Sequence, residues 1–331
     1  MKKILLALTM MAMGVCTSAS AETVLKLGHF GSGQDPFSQS VEAFAQRVAE
    51  LSNGDLTIKI YPGGQLGNER QEISALQGGL QELMITASTN LANMDPALSL
   101  LDLPFAFANH QEVDAVTLGP VGEKMMAPLA DNGLVGLALW ENGFRALTNA
   151  VRPINTVEDI KGLKIRVIGA PVFIDTFSAL GANPVPMPFP ELYSGLETGT
   201  VEGQDNPAGG TQAMKFYEVQ KYFTPTNHIY GAMIVLGSKR ALDRLSDKDR
   251  EILMQAAKDF GVTQRKTMRD YDAVATRFLG ESGGMIVSPA LTPEALAGFR
   301  QATAGVVEKA VTPDLKPLYD EMEAAIAATG N

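Results

Sequence analysis

Cysteine is almost missing from this 331-residue chain, and its one thiol, Cys16, lies in an N-terminal stretch that reads as a cleavable export leader. Lys2 and Lys3 form a basic start, Ile4 to Val15 an apolar core, and Ala19-Ser20-Ala21 a small-residue cleavage site. The apolar run is well short of the roughly 20 residues a spanning helix needs. Met13-Gly14-Val15 is also a poor context for lipoprotein cleavage at Cys16. The expectation is a leader over 1–21 and a working chain from Glu22 with no thiol, disulfide or cysteine chemistry. Histidine is scarce too. His29, His110 and His228 match no H-E-x-x-H or other metal-ligand spacing, so neither a metal nor a cofactor is expected. Gly31-Ser32-Gly33 lacks the flanking residues of a phosphate loop or a nucleophile elbow, and reads as a turn. Acid pairs such as Glu158 and Asp159 read as solvated surface, and with no catalytic constellation in view the chain is not expected to be an enzyme. Positive charge is in deficit: the net charge of −10 becomes −12 once Lys2 and Lys3 are removed, which repels nucleic acid and anionic lipid. An anionic ligand would have to be held by local cations against that field. Buried arginines are therefore the residues to look for.

What the chain does contain is enough apolar residue, 45%, to fill the cores of about two domains. Strand and helix patterns alternate. Val24 to Gly28 reads as a strand; Asp35 then caps a helix with Pro36 at its first position, and Leu56 to Tyr61 alternates as a half-buried strand. The spacing predicts a helix over Asn68 to Leu80, a strand at Leu83 to Ala87, a helix from Val113 to Leu129, and strands at Leu134 to Trp140 and Leu163 to Ile168. Pro171 to Leu180 reads as a helix stopped by Gly181, and this alternation predicts an α/β fold with largely parallel sheets. From Ser246 a helical pattern runs to about Leu279, too long for one compact domain and fitting for a helix that bridges two.

Six segments occur in one order: Gln65-Leu66-Gly67-Asn68-Glu69-Arg70, Trp140-Glu141-Asn142-Gly143-Phe144-Arg145, Gly162-Leu163-Lys164-Ile165-Arg166-Val167, Pro184-Val185-Pro186-Met187-Pro188-Phe189, Gly203-Gln204-Asp205-Asn206-Pro207 and Lys215-Phe216-Tyr217-Glu218-Val219-Gln220-Lys221. The series resembles the DctP-type solute-binding proteins of TRAP (tripartite ATP-independent periplasmic) transporters, from Leu25 to the C-terminal helices. The resemblance implies a periplasmic-binding-protein-like fold, with two α/β domains around a cleft and a long bridging helix. Residues 22–144 and 233–271 would form domain I, and 145–232 and 272–331 domain II. It further implies a periplasmic monomer that hands a small carboxylate to membrane permease subunits for sodium-coupled uptake. Delivery to a chemoreceptor would leave the same sequence.

Arg166 ends a predicted apolar strand, where a charge must reach either a cleft or a partner. Its guanidinium fork matches a carboxylate, and the resemblance places the family's ligand arginine in this Lys-Ile-Arg-Val strand. Arg145 matches a second ligand-facing arginine, with a structural ion pair as the open alternative. Asn206, before Pro207, is held extended and its amide can donate and accept. Phe189 and Phe30 are candidate apolar walls or core residues. Glu69, Ser88 and Asn90 match positions where the family varies its contacts with the far end of the ligand, though each also serves as a local cap or a first-turn helix acid. His29 is either a hydroxyl donor or a strand cap. Ala87 and Phe30 stand where sialic-acid binders carry a glutamate and an asparagine, which argues against sialic acid. The expected ligand is a hydroxylated monocarboxylate such as a uronate or aldonate. A C4-dicarboxylate, with one carboxylate on each arginine, is the alternative.

Overall fold

A computed structural model describes residues 22–330; the leader read at 1–21 and its cleavage site lie outside them. The described strands, numbered in chain order, are β1 (Thr23–His29), β2 (Leu56–Tyr61), β3 (Leu83–Ala87), β4 (Leu134–Phe144), β5 (Ala146–Asn149), β6 (Lys164–Val167), β7 (Asn183–Pro186), β8 (Gly203–Asn206), β9 (Tyr222–Thr224), β10 (Tyr230–Ser238) and β11 (Ile286–Val287). They form two sheets, ordered β2-β1-β3-β10-β4 and β11-β9-β5-β8-β6-β7. Each sheet with its helices makes one lobe. The sheets are more mixed than the alternation of elements predicts, because β10 lies antiparallel between β3 and β4, and β5 lies antiparallel between β8 and β9. The cause is the crossing: β4 leaves the first sheet and, after Arg145 alone, the chain enters the second as β5, so each sheet receives chain running in both directions.

Local chemistry accounts for the element ends. Asp35 caps the helix Pro36–Leu51, its Oδ1 accepting from the amide of Ser38 at 3.0 Å and its Oδ2 from the Ser32 amide at 2.7 Å. Asn68 is the cap, not the first residue, of the helix Glu69–Gly78. The single helix expected from Val113 to Leu129 is instead His110–Thr117, Pro120–Met126 and a 3-10 turn Ala127–Asn132. Gly119 is extended at φ −98° and ψ −176°, as the residue before a proline prefers, and this breaks the run.

The long helix, Asp247–Glu281, spans both lobes. Leu253, Ala256, Ala257 and Met268 pack into the first lobe's core with Phe44 and Trp140. Ala275 and Leu279 pack with Ala146, Ala208 and Phe223 of the second. Near the C-terminus, the helix Pro293–Ala310 lies on Pro171–Ala179 of the second lobe. The last helix, Lys316–Ala327, lies on His110–Thr117 and Pro120–Met126 of the first, so the chain end returns across the molecule.

β4 is an edge strand, and side chains of the long helix cover that edge in place of another strand. Gln264 accepts from the Glu141 amide and donates to its carbonyl, each at 2.8 Å, and Arg265 donates to the Leu139 carbonyl at 2.9 Å. The Trp140 indole donates to the Ala257 carbonyl at 2.9 Å. The side chain of Glu141, fully buried, accepts from Arg269 at 2.8 Å. The Trp140-to-Arg145 segment is thus a seam between sheet and helix at the point where the lobes meet. Gln264→Ala leaves the buried Glu141 amide and carbonyl unpaired, and urea unfolding should show a loss of about 1–3 kcal/mol; unchanged stability would mean that the seam does not bear on the fold.

Candidate ligand-binding cleft

Between the lobes lies a cavity of about 110 Å³ whose lining includes Phe30, Glu69, Asn90, Arg145, Arg166, Phe189 and Asn206. Strand ends put them there: Arg166 on β6, Asn206 at the end of β8, Arg145 between β4 and β5, and Phe30 just past β1. A wider opening of about 580 Å³ adjoins it and shares Glu69, Asn90, Arg166 and Ile168. Arg166 therefore stands where the inner cavity meets the open cleft.

Although both arginines are 2% exposed, their surroundings differ. Arg145 is committed to Asp205: Nε donates to Oδ2 at 2.5 Å, Nη2 donates to Oδ1 at 3.1 Å, and Nη2 also reaches the Asp205 carbonyl. Burial opposes ionisation of Asp205, but Arg145 and His228 outweigh it and hold the carboxyl well below its ordinary range. His228 Nε2 lies 3.3 Å from the same carboxylate. The ion-pair alternative for Arg145 thus holds, and among the described residues only Nη1 is left without a partner.

Arg166 has no such partner. Its Nε donates to the Met187 carbonyl at 2.9 Å, its plane lies 5.8 Å from the centre of the Phe189 ring, and among the described residues no carboxylate is within ion-pair distance. Burial, then the nearby Arg145, pushes its pKa down to about 10, with Asp205 and Glu69 partly offsetting, so it remains a cation at neutral pH. Neither terminal nitrogen hydrogen-bonds to a described residue. A desolvated charge with its fork unpaired is costly unless an anion completes it.

The other polar groups are oriented by relays. Gln220 accepts from Thr148 at 3.0 Å, Thr148 accepts from Gln204 at 2.8 Å, and Gln204 accepts from Asn206 Nδ2 at 2.5 Å. This fixes the Asn206 amide with its nitrogen engaged, and leaves Oδ1 to accept from a ligand hydroxyl. The Gly-Gln-Asp-Asn-Pro and Lys-Phe-Tyr-Glu-Val-Gln-Lys motifs owe part of their content to this relay. Asn90 Nδ2 donates to Thr86 at 2.9 Å. Glu69 Oε1 crosses the cleft to accept from the Phe189 amide at 2.9 Å, a direct tie between lobes.

Two candidates lie outside the cavity lining. Ser88 is fully buried and donates to the Ala232 carbonyl at 3.3 Å. His29 is buried with its ring edge on Phe37, its Nδ1 accepting from the Gly31 amide at 3.1 Å. Burial, partly opposed by Asp35, lowers its pKa to about 4, so it is neutral. Side chains alternate at the strand ends, and the neighbours Phe30 and Ala87 are the ones lining the cavity. The sequence reading missed Phe37, Thr86, Asn142, Met233, Met268 and Tyr271, which also line it. Their only signal was helix or strand periodicity, which reads as core.

Two lobes hinged by a long helix around an anion-seeking cleft define a solute-binding protein. The family model for bacterial extracellular solute-binding proteins, family 7 (DctP), matches residues 27–314, and the chain belongs to that family. It is 36% identical over 272 residues to the 2,3-diketo-L-gulonate-binding periplasmic protein YiaO of Escherichia coli, covering 82% of this chain and 83% of that one. Among solved structures it resembles the sugar acid binding protein DctPAm of Advenella mimigardefordensis in complex with galactonate, at TM-score 0.88 and 35% identity over 92% of this chain and 99% of that one. It also resembles a TRAP periplasmic solute binding protein of Sulfurospirillum deleyianum with bound succinate, at TM-score 0.85 and 30% identity over 92% and 99% of the two chains.

The contrast between the arginines sets a stability test in the unliganded protein. Arg145→Met strands the buried Asp205 carboxylate and should cost about 3–5 kcal/mol in chemical unfolding. Arg166→Met removes an unpaired buried charge and should leave the midpoint at or above wild type. A comparable loss for both would assign Arg166 to the fold.

Proposed function

We propose that this protein is the periplasmic solute-binding component of a TRAP transporter and that it captures a hydroxylated monocarboxylate, a uronate or aldonate, for sodium-coupled uptake. The observation that carries this reading is Arg166, a buried cation with both terminal nitrogens unpaired at the mouth of the inner cavity. One carboxylate completes it, and Asn206, Asn90 and Glu69 offer acceptors for hydroxyls on the same molecule. Phe30 and Phe189 supply walls for its C–H faces. The galactonate and diketogulonate named for similar proteins support a sugar acid.

The succinate named for another similar protein makes a C4-dicarboxylate the competing reading. Against it stands the commitment of two Arg145 nitrogens to Asp205, which leaves no second free fork for a second carboxylate. The two lobes, 22–144 with 233–271 and 145–232 with 272–315, close around the anion and exclude water, and the last helix, Lys316–Ala327, moves with the first lobe. Closure strengthens the guanidinium–carboxylate attraction, and opening releases the ligand unchanged to the permease subunits. No chemistry is performed on it.

Titration calorimetry with D-galactonate, D-galacturonate and succinate tests the reading. A sugar acid should bind well ahead of succinate and be recovered intact by mass spectrometry. Arg166→Lys keeps the charge but loses the two-pronged fork, and should weaken binding by roughly thirtyfold to several thousandfold. Tighter succinate binding would establish the dicarboxylate reading, and near-normal affinity in Arg166→Lys would remove Arg166 from the site.

A further inference from the structure

Tyr271, on the second half of the long helix, lines the inner cavity but not the outer opening, whereas Arg166 lines both. Tyr271 and Met268, one helical turn earlier, thus belong to the part of the lining that the outer opening does not share. Tyr271 is half-buried, packs against the apolar cores of both lobes, and makes no hydrogen bond through its hydroxyl to any described residue.

The ring is held in place by the second lobe. A side-chain carbon at Gly209 would stand 2.8 Å from Tyr271 Cδ1 and 3.1 Å from Cε1, so the ring lies directly on the Gly209 backbone. The adjacent Asp272 accepts from the Gly209 amide at 2.8 Å, tying this helix turn to the helix Ala208–Ala213. Burial, reinforced by the Asp35 and Asp272 carboxylates, pushes the phenol up to about 12 and keeps it neutral. Nearby, Asp35 Oδ1 accepts from Ser38 and Oδ2 from Ser32 and Ser38, and the Asn206 and Asn90 amide nitrogens donate to Gln204 and Thr86. A fixed, neutral hydroxyl in the lining, without a partner among the described residues, is a donor and acceptor that a ligand can take up.

We propose that Tyr271 is a specificity-determining residue whose hydroxyl hydrogen-bonds a hydroxyl at the end of the ligand remote from its carboxylate, so that the site selects acids by chain length. This rests on the sugar-acid reading above. An acid anchored on Arg166 reaches Tyr271 only if its carbon chain spans the inner cavity; a shorter acid leaves the phenol unpaired.

The test titrates wild type and Tyr271→Phe with a six-carbon acid, D-galactonate, and a four-carbon acid, D-erythronate. The variant removes one oxygen and should keep the wild-type melting temperature. Galactonate affinity should fall about tenfold, the size of one lost hydrogen bond, with erythronate affinity unchanged, so that the ratio between the acids collapses. A parallel loss for both acids would make Tyr271 a structural residue, and no loss for either would show that its hydroxyl touches no ligand; both overturn the proposal while leaving the sugar-acid reading intact. Failure of wild type to bind either acid would overturn that reading and the proposal with it.

Discussion

The architecture turns on the difference between two buried guanidinium groups. Arg145 is neutralised by Asp205, sixty residues away on β8, and this pair fixes the crossing where β4 becomes β5. Arg166 is buried to the same degree without an acid, in a chain whose overall charge is negative. A fold can carry one such group only if the rest of the structure holds it there. Here the Met187 carbonyl on Nε and the Phe189 ring beside its plane do so, and the fork is left facing the cavity. On the proposed function, selectivity for an anion follows from that unmet requirement more than from any long-range field.

The remainder of the molecule makes the cleft closable. The long helix covers the open edge of β4 through Gln264, Arg265 and Trp140, which makes the helix part of the first lobe. Its far half is part of the second through Ala275, Leu279 and Asp272. Across the cleft itself the direct ties are few: Glu69 to the Phe189 amide at 2.9 Å, and Asn93 to the Gly169 carbonyl at 3.1 Å. Ties of this size stabilise a closed form only slightly. That leaves ligand contacts to decide between open and closed.

Much of the fold was legible because its signals are local. The alternation from Leu56 to Tyr61 and the Asp35-Pro36 start specify their elements within a few residues. Arg166 was legible for a related reason, since a charge closing an apolar strand demands an explanation. The Arg145–Asp205 pair was not, because nothing local links residues on different strands. His29 and Ser88 stand one position from the lining residues Phe30 and Ala87 at strand ends, where alternation sends neighbours to opposite faces. Tyr271 stayed hidden because a tyrosine at helical spacing reads as core until the two lobes are set side by side. The break at Gly119-Pro120 was written in the sequence, but the continuous apolar periodicity on either side masked it.

On the proposed function, the carboxylate, through Arg166, supplies the decisive part of binding. Titration calorimetry of the unmodified protein with D-galactonate and with its alcohol counterpart galactitol, which keeps the hydroxyls and lacks the carboxylate, addresses it most directly. Galactitol binding should be weaker by roughly thirtyfold to several thousandfold, the scale of leaving a desolvated charge without its partner. Comparable affinity for the two would contradict it.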